Sequence, residues 1–119
     1  MTKITGIIIP CYNEYYRLEK DKFCQFLTKN NNYHFCFVND GSADNTLELL
    51  QQLRQFDPKR ISVIDLEQNQ GKASAVQAGA NYLKELDHID NIGFLDADLS
   101  TSLEEMDNLG LVAHLFCRR

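Results

Sequence analysis

The sequence predicts a three-layer α/β fold with a mostly parallel sheet, formed by the 119 residues as one domain. Four short apolar runs, rich in β-branched and aromatic residues, alternate with longer amphipathic stretches. Turn-forming residues close most of the apolar runs. This alternation is typical of βαβ units, in which right-handed crossovers place helices against a parallel sheet.

The apolar runs predict four strands, over Ile4–Pro10, Tyr33–Val38, Ile61–Leu66 and Asn91–Leu95. The first two runs are nearly continuous in apolar character, which is typical of strands that are covered on both faces. Between the strands, apolar residues at helical spacing predict helices over Tyr15–Lys29, Thr46–Phe56 and Lys72–Leu86, and a fourth pattern begins near Ser102.

Individual residues refine the helix predictions. Ser42 and Asp44 are candidate caps for the second helix, because their side chains can accept hydrogen bonds from free backbone N–H groups. Gly79 lies within the third helix, where its missing side chain would allow a close approach to the sheet.

The composition excludes several classes of protein. A formal net charge of -5 argues against nucleic-acid binding, which requires a basic face. No apolar run approaches the length of a membrane span, and no secretory leader is predicted. The four cysteines form no CxxC pair, so we expect reduced thiols in a cytoplasmic protein. An anionic ligand would need a metal ion or backbone amides to balance its charge.

Two carboxylates follow the fourth predicted strand, at the edge where parallel sheets bind ligands. If the chain is still extended there, Asp96 and Asp98 face the same side and can hold one Mg²⁺ or Mn²⁺. Such ions commonly bind through one or two carboxylates plus substrate phosphates. The alternative is an acidic turn in which Asp98 or Ser100 caps the next helix.

The other three strand ends each allow a ligand contact or a purely structural role. After the first strand, Tyr12 could stack on a base and Glu14 could face a ligand, or Glu14 could favour a helix N-terminus. After the second strand, Asp40 could bind a nucleobase or ribose, or this segment could be a tight turn with Gly41 at positive φ. Before the third helix, Lys72 could meet a diphosphate or be solvated.

In this order, the segments IIIPCYNE, FVNDGSADNT, NQGKASAVQAG and FLDADLST resemble the family 2 glycosyltransferases of the Rossmann-like GT-A fold. The resemblance extends from Ile7 to about Leu103 and is strongest to the branch that transfers a sugar to a polyprenyl phosphate of the dolichyl type. It implies inverting transfer from a UDP- or GDP-sugar to a lipid-phosphate or saccharide acceptor, with Mg²⁺ or Mn²⁺. It also implies that the protein works at the cytoplasmic face of a membrane.

The same resemblance implies a nucleotide-sugar site formed by Pro10, Tyr12, Glu14, Asp40, Gly41, Lys72, Asp96, Ala97 and Asp98. Within this set, Asp40 would contact the base, whereas Asp96 and Asp98 would hold the metal and the ribose–diphosphate. Ala97 would supply backbone contacts. Asn39 departs from the pattern, because the family often has an aspartate at this position.

The family places its acceptor-binding half after the strand that precedes the two aspartates. The resemblance therefore implies a sheet truncated after this strand and a catalytic base beyond Arg119. We expect a homo-oligomer that forms through the exposed sheet edge or through the apolar segment Leu109–Arg119. The alternative functions are a nucleotide-binding module or an inactive fragment without turnover, and a receiver-like phosphoacceptor domain is a more distant alternative.

Overall fold

A computed structural model of the protein describes residues 3–99, 102–109 and 116–117. The strands are β1 (Thr5–Cys11), β2 (Tyr33–Asp40), β3 (Ile61–Leu66), β4 (Asn91–Phe94) and β5 (Phe116–Cys117). The helices are α1 (Lys20–Lys29), α2 (Thr46–Phe56), α3 (Lys72–Lys84) and α4 (Leu103–Leu109). The strand order is β3-β2-β1-β4-β5, and β1 to β4 are parallel, which confirms the predicted α/β class.

Helices cover both faces of the sheet, as the nearly continuous apolar strands predicted. Alternate residues of β1 point to opposite faces. Ile7 and Ile9 therefore pack into the cluster that includes residues of α1, α2 and α4, whereas Ile8 packs against residues of α3. All three isoleucines are completely buried, so β1 forms the centre of a three-layer structure.

The contact between α3 and the sheet depends on Gly79. A Cβ atom at this position would lie 2.6 Å from Ile8 Cγ2, which is closer than packed carbon atoms can approach. The helix therefore lies closer to β1 than any other residue type would allow, as the sequence predicted.

Several element boundaries differ from the sequence predictions, most of them by one or two residues, and the two differences described next bear on the loops after β1 and β2. The first helix begins at Lys20 rather than Tyr15, because Arg17 and Leu18 donate their N–H groups to Glu14 O in a separate turn. Strand β2 continues to Asp40 instead of ending at Val38, since its last residues pair with β3. Asp40 is thus part of a strand, and the turn that follows begins at Gly41.

The outer edge of β4 is partly covered by β5. Asn91 pairs with Cys117 and Ile92 with Phe116 in an antiparallel register, which corrects the expectation of a fully unpaired edge. Residues 110–115 and 118–119 of the segment expected to support self-association lie outside the described residues, so association stays a prediction. Within the described ranges, no helix has the length and apolar character needed to cross a bilayer.

A polar network is buried near the amino ends of β2 and β3. It lies away from the carboxyl ends of the strands, which carry the acidic residues. His34 is 3% exposed, and its Nε2 lies 2.8 Å from Ser62 Oγ. Its Nδ1 lies 3.4 Å from His88 Nε2, and Ser62 Oγ donates to Tyr82 Oη at 3.3 Å. Burial, and to a smaller extent the neighbouring His88, lowers the pKa of His34 to about 4.

We expect this network to make folding stability depend on pH between about 4 and 6.5. A histidine with a lowered pKa binds its proton more readily in the unfolded chain, so its stabilising effect is complete above about 6.5. As the pH falls towards 4, up to about 3 kcal/mol of the free energy of unfolding should be lost. Asp57 opposes the lowering of the pKa, whereas Arg60 adds to it.

The matched control for this prediction is the His34→Phe variant. Carboxylates contribute to the pH dependence of both proteins equally, so the difference between the two slopes isolates His34. Urea titrations at several pH values should give a shallower slope for the variant, by up to about 1.4 kcal/mol per pH unit. Equal slopes for the two proteins would show that His34 titrates normally.

Candidate functional site

The loop after β1 is fixed by hydrogen bonds to the loop after β2. Asn13 has a φ of 53°, a left-handed conformation that asparagine tolerates better than most residues. Its N–H donates to Ser42 Oγ at 2.9 Å, and its Oδ1 accepts from Ala43 N at 2.8 Å. Ser42 was predicted to cap α2, but its hydroxyl accepts this bond from Asn13 instead. The two loops therefore form one unit.

Glu14 lies beside this unit in a partly buried position. Its N–H donates to Thr46 Oγ1 at 2.9 Å, which ties the first loop to the start of α2. Its Oε1 lies 3.2 Å from Arg17 Nε in an ion pair that lacks hydrogen-bond geometry. Burial raises the pKa of Glu14, Arg17 opposes this effect, and the negative charge of Asp98 adds to it. Glu14 and Asp98 are thus close enough to influence each other.

The second strand end combines the predicted turn at Gly41 with a contact that neither sequence interpretation named. The carboxylate of Asp40 is 3% exposed and accepts hydrogen bonds from the loop between β3 and α3. Gly41 has a φ of 66°, as the turn interpretation required. A Cβ atom on Gly41 would lie 2.2 Å from Asn69 N, so only glycine allows these two loops to touch.

The third strand end leads into α3 through Gly71, which precedes the first residue of the helix and has a φ of 100°. Lys72 begins the helix, and its ammonium donates to Asp96 Oδ1. The same ammonium lies 5.6 Å from the centre of the Phe94 ring. Lys72 is therefore exposed at the cleft and paired with a carboxylate.

The fourth strand end is a tight turn and not an extended segment, which corrects the premise used for the two aspartates. Leu99 N donates to Asp96 O at 3.1 Å, and Leu99 has a φ of 55°. Ala97 is 5% exposed and packs into the core, which anchors the turn between the two carboxylates. Asp98 is exposed, and both aspartates still line the same cleft.

These four loops surround one cleft of about 290 Å³ beyond the carboxyl ends of the parallel strands. The predicted residues that line it are Pro10, Tyr12, Glu14, Asp40, Lys72, Asp96, Ala97 and Asp98. Gly41 does not line it but borders a neighbouring cleft beside α2, where its role is the close approach of two loops. Eight of the nine residues that the sequence predicted for the site thus line one cleft.

Three residues with clear roles were not among the predicted site residues. Cys11 and Asn69 also line the cleft, and Asn69 Nδ2 donates to Asp40 Oδ2 at 3.0 Å. Thr46 holds the first loop through its hydroxyl. Their positions next to the recognised motifs were the only signal in the sequence, because Asn69 and Thr46 bond to residues distant in the chain.

The donor set of the cleft fits a hard divalent cation. Asp96 and Asp98 offer carboxylate oxygens, the ligands that Mg²⁺ and Mn²⁺ prefer. The described residues form no cluster of three or more metal-ligating side chains, as is common where substrate phosphates complete the coordination. The Asp96 carboxylate already attracts a cationic group, the ammonium of Lys72.

Comparison with known proteins identifies the family. The profile named "Glycosyl transferase family 2" matches residues 6–108, which include all four loops. The chain belongs to glycosyl transferase family 2. Among the relatives of this family 2 domain is an undecaprenyl-phosphate 4-deoxy-4-formamido-L-arabinose transferase of Yersinia enterocolitica, 36% identical over 116 residues. The match covers 93% of the chain and 34% of that protein, so the chain spans about a third of such relatives.

Solved structures support the fold of the family 2 domain. A mannosyltransferase from Pyrobaculum calidifontis, in complex with GDP-Man and Mn²⁺, superposes with a TM-score of 0.66 at 18% identity. This superposition covers 82% of the chain and 28% of the mannosyltransferase. Residues 1–349 of S. aureus TarS, in complex with UDP, give a TM-score of 0.59 at 20% identity over 80% of the chain and 27% of TarS. Both confirm the GT-A glycosyltransferase fold.

Proposed function

We propose that this domain binds a UDP- or GDP-sugar together with Mg²⁺ or Mn²⁺ and transfers the sugar to a polyprenyl phosphate. The observation that carries the proposal is the convergence of Lys72, Asp96 and Asp98 on one cleft at the carboxyl edge of the sheet. The relative named as an undecaprenyl-phosphate transferase, and the structures solved with GDP-Man and with UDP, support this class of donor and acceptor.

The base, the diphosphate and the metal ion of the donor complex would each contact a different loop of the cleft. Tyr12 is 46% exposed at the cleft, where its ring is available to stack on a base. The start of α3 contributes N–H groups without intrahelical partners, and such groups bind phosphate. Lys72 adds a positive charge beside them, and Asp96 and Asp98 would hold the metal ion.

Transfer requires that the bond between the anomeric carbon and the diphosphate oxygen breaks while a bond to the acceptor oxygen forms. The nucleoside diphosphate leaves with the electron pair, and inversion follows from attack on the opposite face. When bound, the metal ion would act as a Lewis acid that stabilises the leaving diphosphate. An acceptor phosphate is already anionic, so it needs less help from a general base than a hydroxyl group would. We nominate no residue as this base.

Titration calorimetry with UDP and GDP, each with and without Mn²⁺, tests the proposal. We expect one nucleotide to bind in the micromolar to millimolar range that is common for enzyme substrates, and more tightly with Mn²⁺. No binding of either nucleotide, or binding that ignores the metal, would contradict it.

The second candidate function is a nucleotide-binding module without turnover, because the groups that line the cleft are argued to bind the donor and none of them is nominated as a base. An assay for transfer of radiolabelled sugar separates the two functions. The acceptor in this assay is a polyprenyl phosphate in detergent micelles. Transfer supports the enzyme, whereas nucleotide binding without transfer supports the module. Such an acceptor resides in a membrane, so we propose that the domain works at the cytoplasmic face of one.

A further inference from the structure

The loop after β1 concentrates exposed aromatic side chains. Of the five large apolar side chains that are exposed in the described part of the chain, Tyr12, Tyr15 and Tyr16 lie within five consecutive positions. Tyr16 is 92% exposed, and its ring packs edge to face against the ring of Tyr15, with the ring centroids 4.9 Å apart. Tyr16 thus contributes almost nothing to the core of the domain. Exposed apolar groups that cluster in this way are typical of a contact surface.

Hydrogen bonds hold the backbone at these tyrosines in place. The N–H of Tyr15 donates to Asp44 Oδ2 at 3.4 Å. The N–H of Arg17 donates to Glu14 O at 3.0 Å, on the other side of Tyr16. The two rings therefore project from a backbone that is anchored before and after them. A contact made through side chains on such a backbone loses little conformational entropy.

The tyrosines lie at the same edge of the sheet as the cleft. Strand β1 ends at Cys11, and the residues that follow form the loop beyond its carboxyl end. Tyr12 and Glu14 line the cleft, and Tyr15 is the next residue along the chain. The polyprenyl phosphate proposed as the acceptor resides in a membrane. The carboxyl edge of the sheet must therefore approach the lipid surface for this acceptor to reach the cleft.

The charged residues around the tyrosines balance one another. Residues 12–22 contain three basic and three acidic side chains. Arg17 Nε lies 3.2 Å from Glu14 Oε1, and Lys22 Nζ lies 2.9 Å from Glu19 Oε2. The whole chain has a formal net charge of -5, so anionic lipids would repel it. A neutral segment with exposed phenol rings fits the interface of a zwitterionic bilayer, where the ring of tyrosine is buried and its hydroxyl stays hydrated.

We propose that Tyr15 and Tyr16 form a membrane contact, with both rings inserted into the headgroup region of a zwitterionic bilayer. The contact turns the cleft towards the lipid surface that holds the acceptor. This orientation rests on the proposed transfer to a polyprenyl phosphate, whereas the binding of lipid follows from the exposed rings.

Co-sedimentation with phosphatidylcholine vesicles that contain no acceptor tests the contact. We expect the wild type to bind, and the Tyr15→Ser/Tyr16→Ser double variant to bind at least about tenfold more weakly, because two aromatic side chains lose their burial in the interface. Phosphatidylglycerol vesicles should bind the wild type no more tightly than phosphatidylcholine vesicles do. Phe56→Ser is the matched control, since Phe56 is 50% exposed but ends α2 at the amino edge of the sheet. This control should bind vesicles as the wild type does.

Tryptophan fluorescence locates the contact without removing the aromatic groups. The chain contains no tryptophan, so Tyr16→Trp places a single indole in the loop and Phe56→Trp places one at the opposite edge of the sheet. With phosphatidylcholine vesicles, the emission of Tyr16→Trp should shift to shorter wavelengths and be quenched by brominated lipids. The emission of Phe56→Trp should change in neither way.

Several outcomes would overturn the membrane contact. They are failure of the wild type to bind vesicles, equal binding by the double variant, equal responses of the two tryptophans, and binding that requires anionic lipid. Sedimentation velocity adds another, because a wild-type dimer that is lost in the double variant would mean that a second copy covers the rings.

Titration calorimetry with UDP and GDP on the same proteins keeps the proposed function separate. Vesicle binding through the tyrosines, without binding of either nucleotide, would contradict the proposed function alone. Nucleotide binding by a protein that does not bind vesicles would contradict the membrane contact alone.

Discussion

Replacing Asp98 with asparagine is expected to remove the metal-dependent part of nucleotide binding. Asparagine keeps the size of the side chain but removes the charge that a hard divalent cation requires. We expect the Mn²⁺-dependent affinity for UDP or GDP to fall by at least about 100-fold, the upper end of what the loss of an orienting group causes. Calorimetry with and without Mn²⁺ measures this change directly.

Asp98 is the better of the two aspartates for this experiment. Its side chain is exposed, so its substitution should change the free energy of unfolding by no more than about 0.5 kcal/mol. Asp96 forms an ion pair with Lys72, and replacing it would alter two groups of the cleft at once. Asp98→Asn leaves the ion pair between Asp96 and Lys72 in place, and the change in its Mn²⁺ dependence reports on the metal site.

Asp87→Asn is the matched control. Asp87 is also exposed, but it precedes β4 and therefore lies at the amino end of that strand, whereas Asp98 follows the carboxyl end. This variant carries the same change in net charge and should bind nucleotide normally. If Asp98→Asn retains its Mn²⁺ dependence, or if Asp87→Asn loses as much affinity, the metal role of Asp98 is wrong.

Replacing Gly41 with alanine is expected to cause the largest loss of stability among substitutions at the loops. Alanine at a φ of 66° costs about 1–2 kcal/mol by itself. Its Cβ atom would also overlap the backbone of Gln68 and Asn69, at 2.2 Å from Asn69 N. The two loops would have to separate, at a further cost of about 1–3 kcal/mol. We expect the melting temperature to fall by roughly 10 °C or more.

Gly71→Ala separates the two causes of this loss. Gly71 also has a positive φ, but a Cβ atom there would meet no atom within 4 Å. It should therefore show only the cost of the backbone conformation. Calorimetric melting of both variants should give a larger loss for Gly41→Ala, by about 2 kcal/mol. A loss for Gly41→Ala of no more than about 2 kcal/mol, the cost of its own backbone conformation, would mean that the contact between the loops contributes nothing.

Local pattern alone located most of the secondary structure. Strand β3 and helix α2 have the predicted bounds, because each combines a clear periodicity with turn residues at both ends. The predicted start of the first helix was wrong, since the turn at Glu14 is held by a bond from its N–H to Thr46 at the start of α2. The spacing of apolar residues within Tyr15–Lys29 contains no information about the contact between Glu14 and Thr46.

The candidate site, like the secondary structure, could be predicted only in part from the sequence. Strand ends of a parallel sheet meet at one edge, and this rule alone predicted that Glu14, Lys72 and Asp98 would line one cleft. It could not predict that Lys72 pairs with Asp96, nor that the segment after Asp96 is a turn with Leu99 at positive φ. These features depend on how neighbouring loops pack and not on the order of the residues within each loop.

The sequence by itself determined the order of strands and helices, the family and the edge of the sheet where the acidic groups lie, because each follows from local periodicity or from short motifs. Only the tertiary structure decided what those groups contact. Asp40 is the clearest case, since its carboxylate binds donors from a loop about thirty residues away. A buried carboxylate must find hydrogen-bond donors, and only the packed chain determines which donors lie within reach.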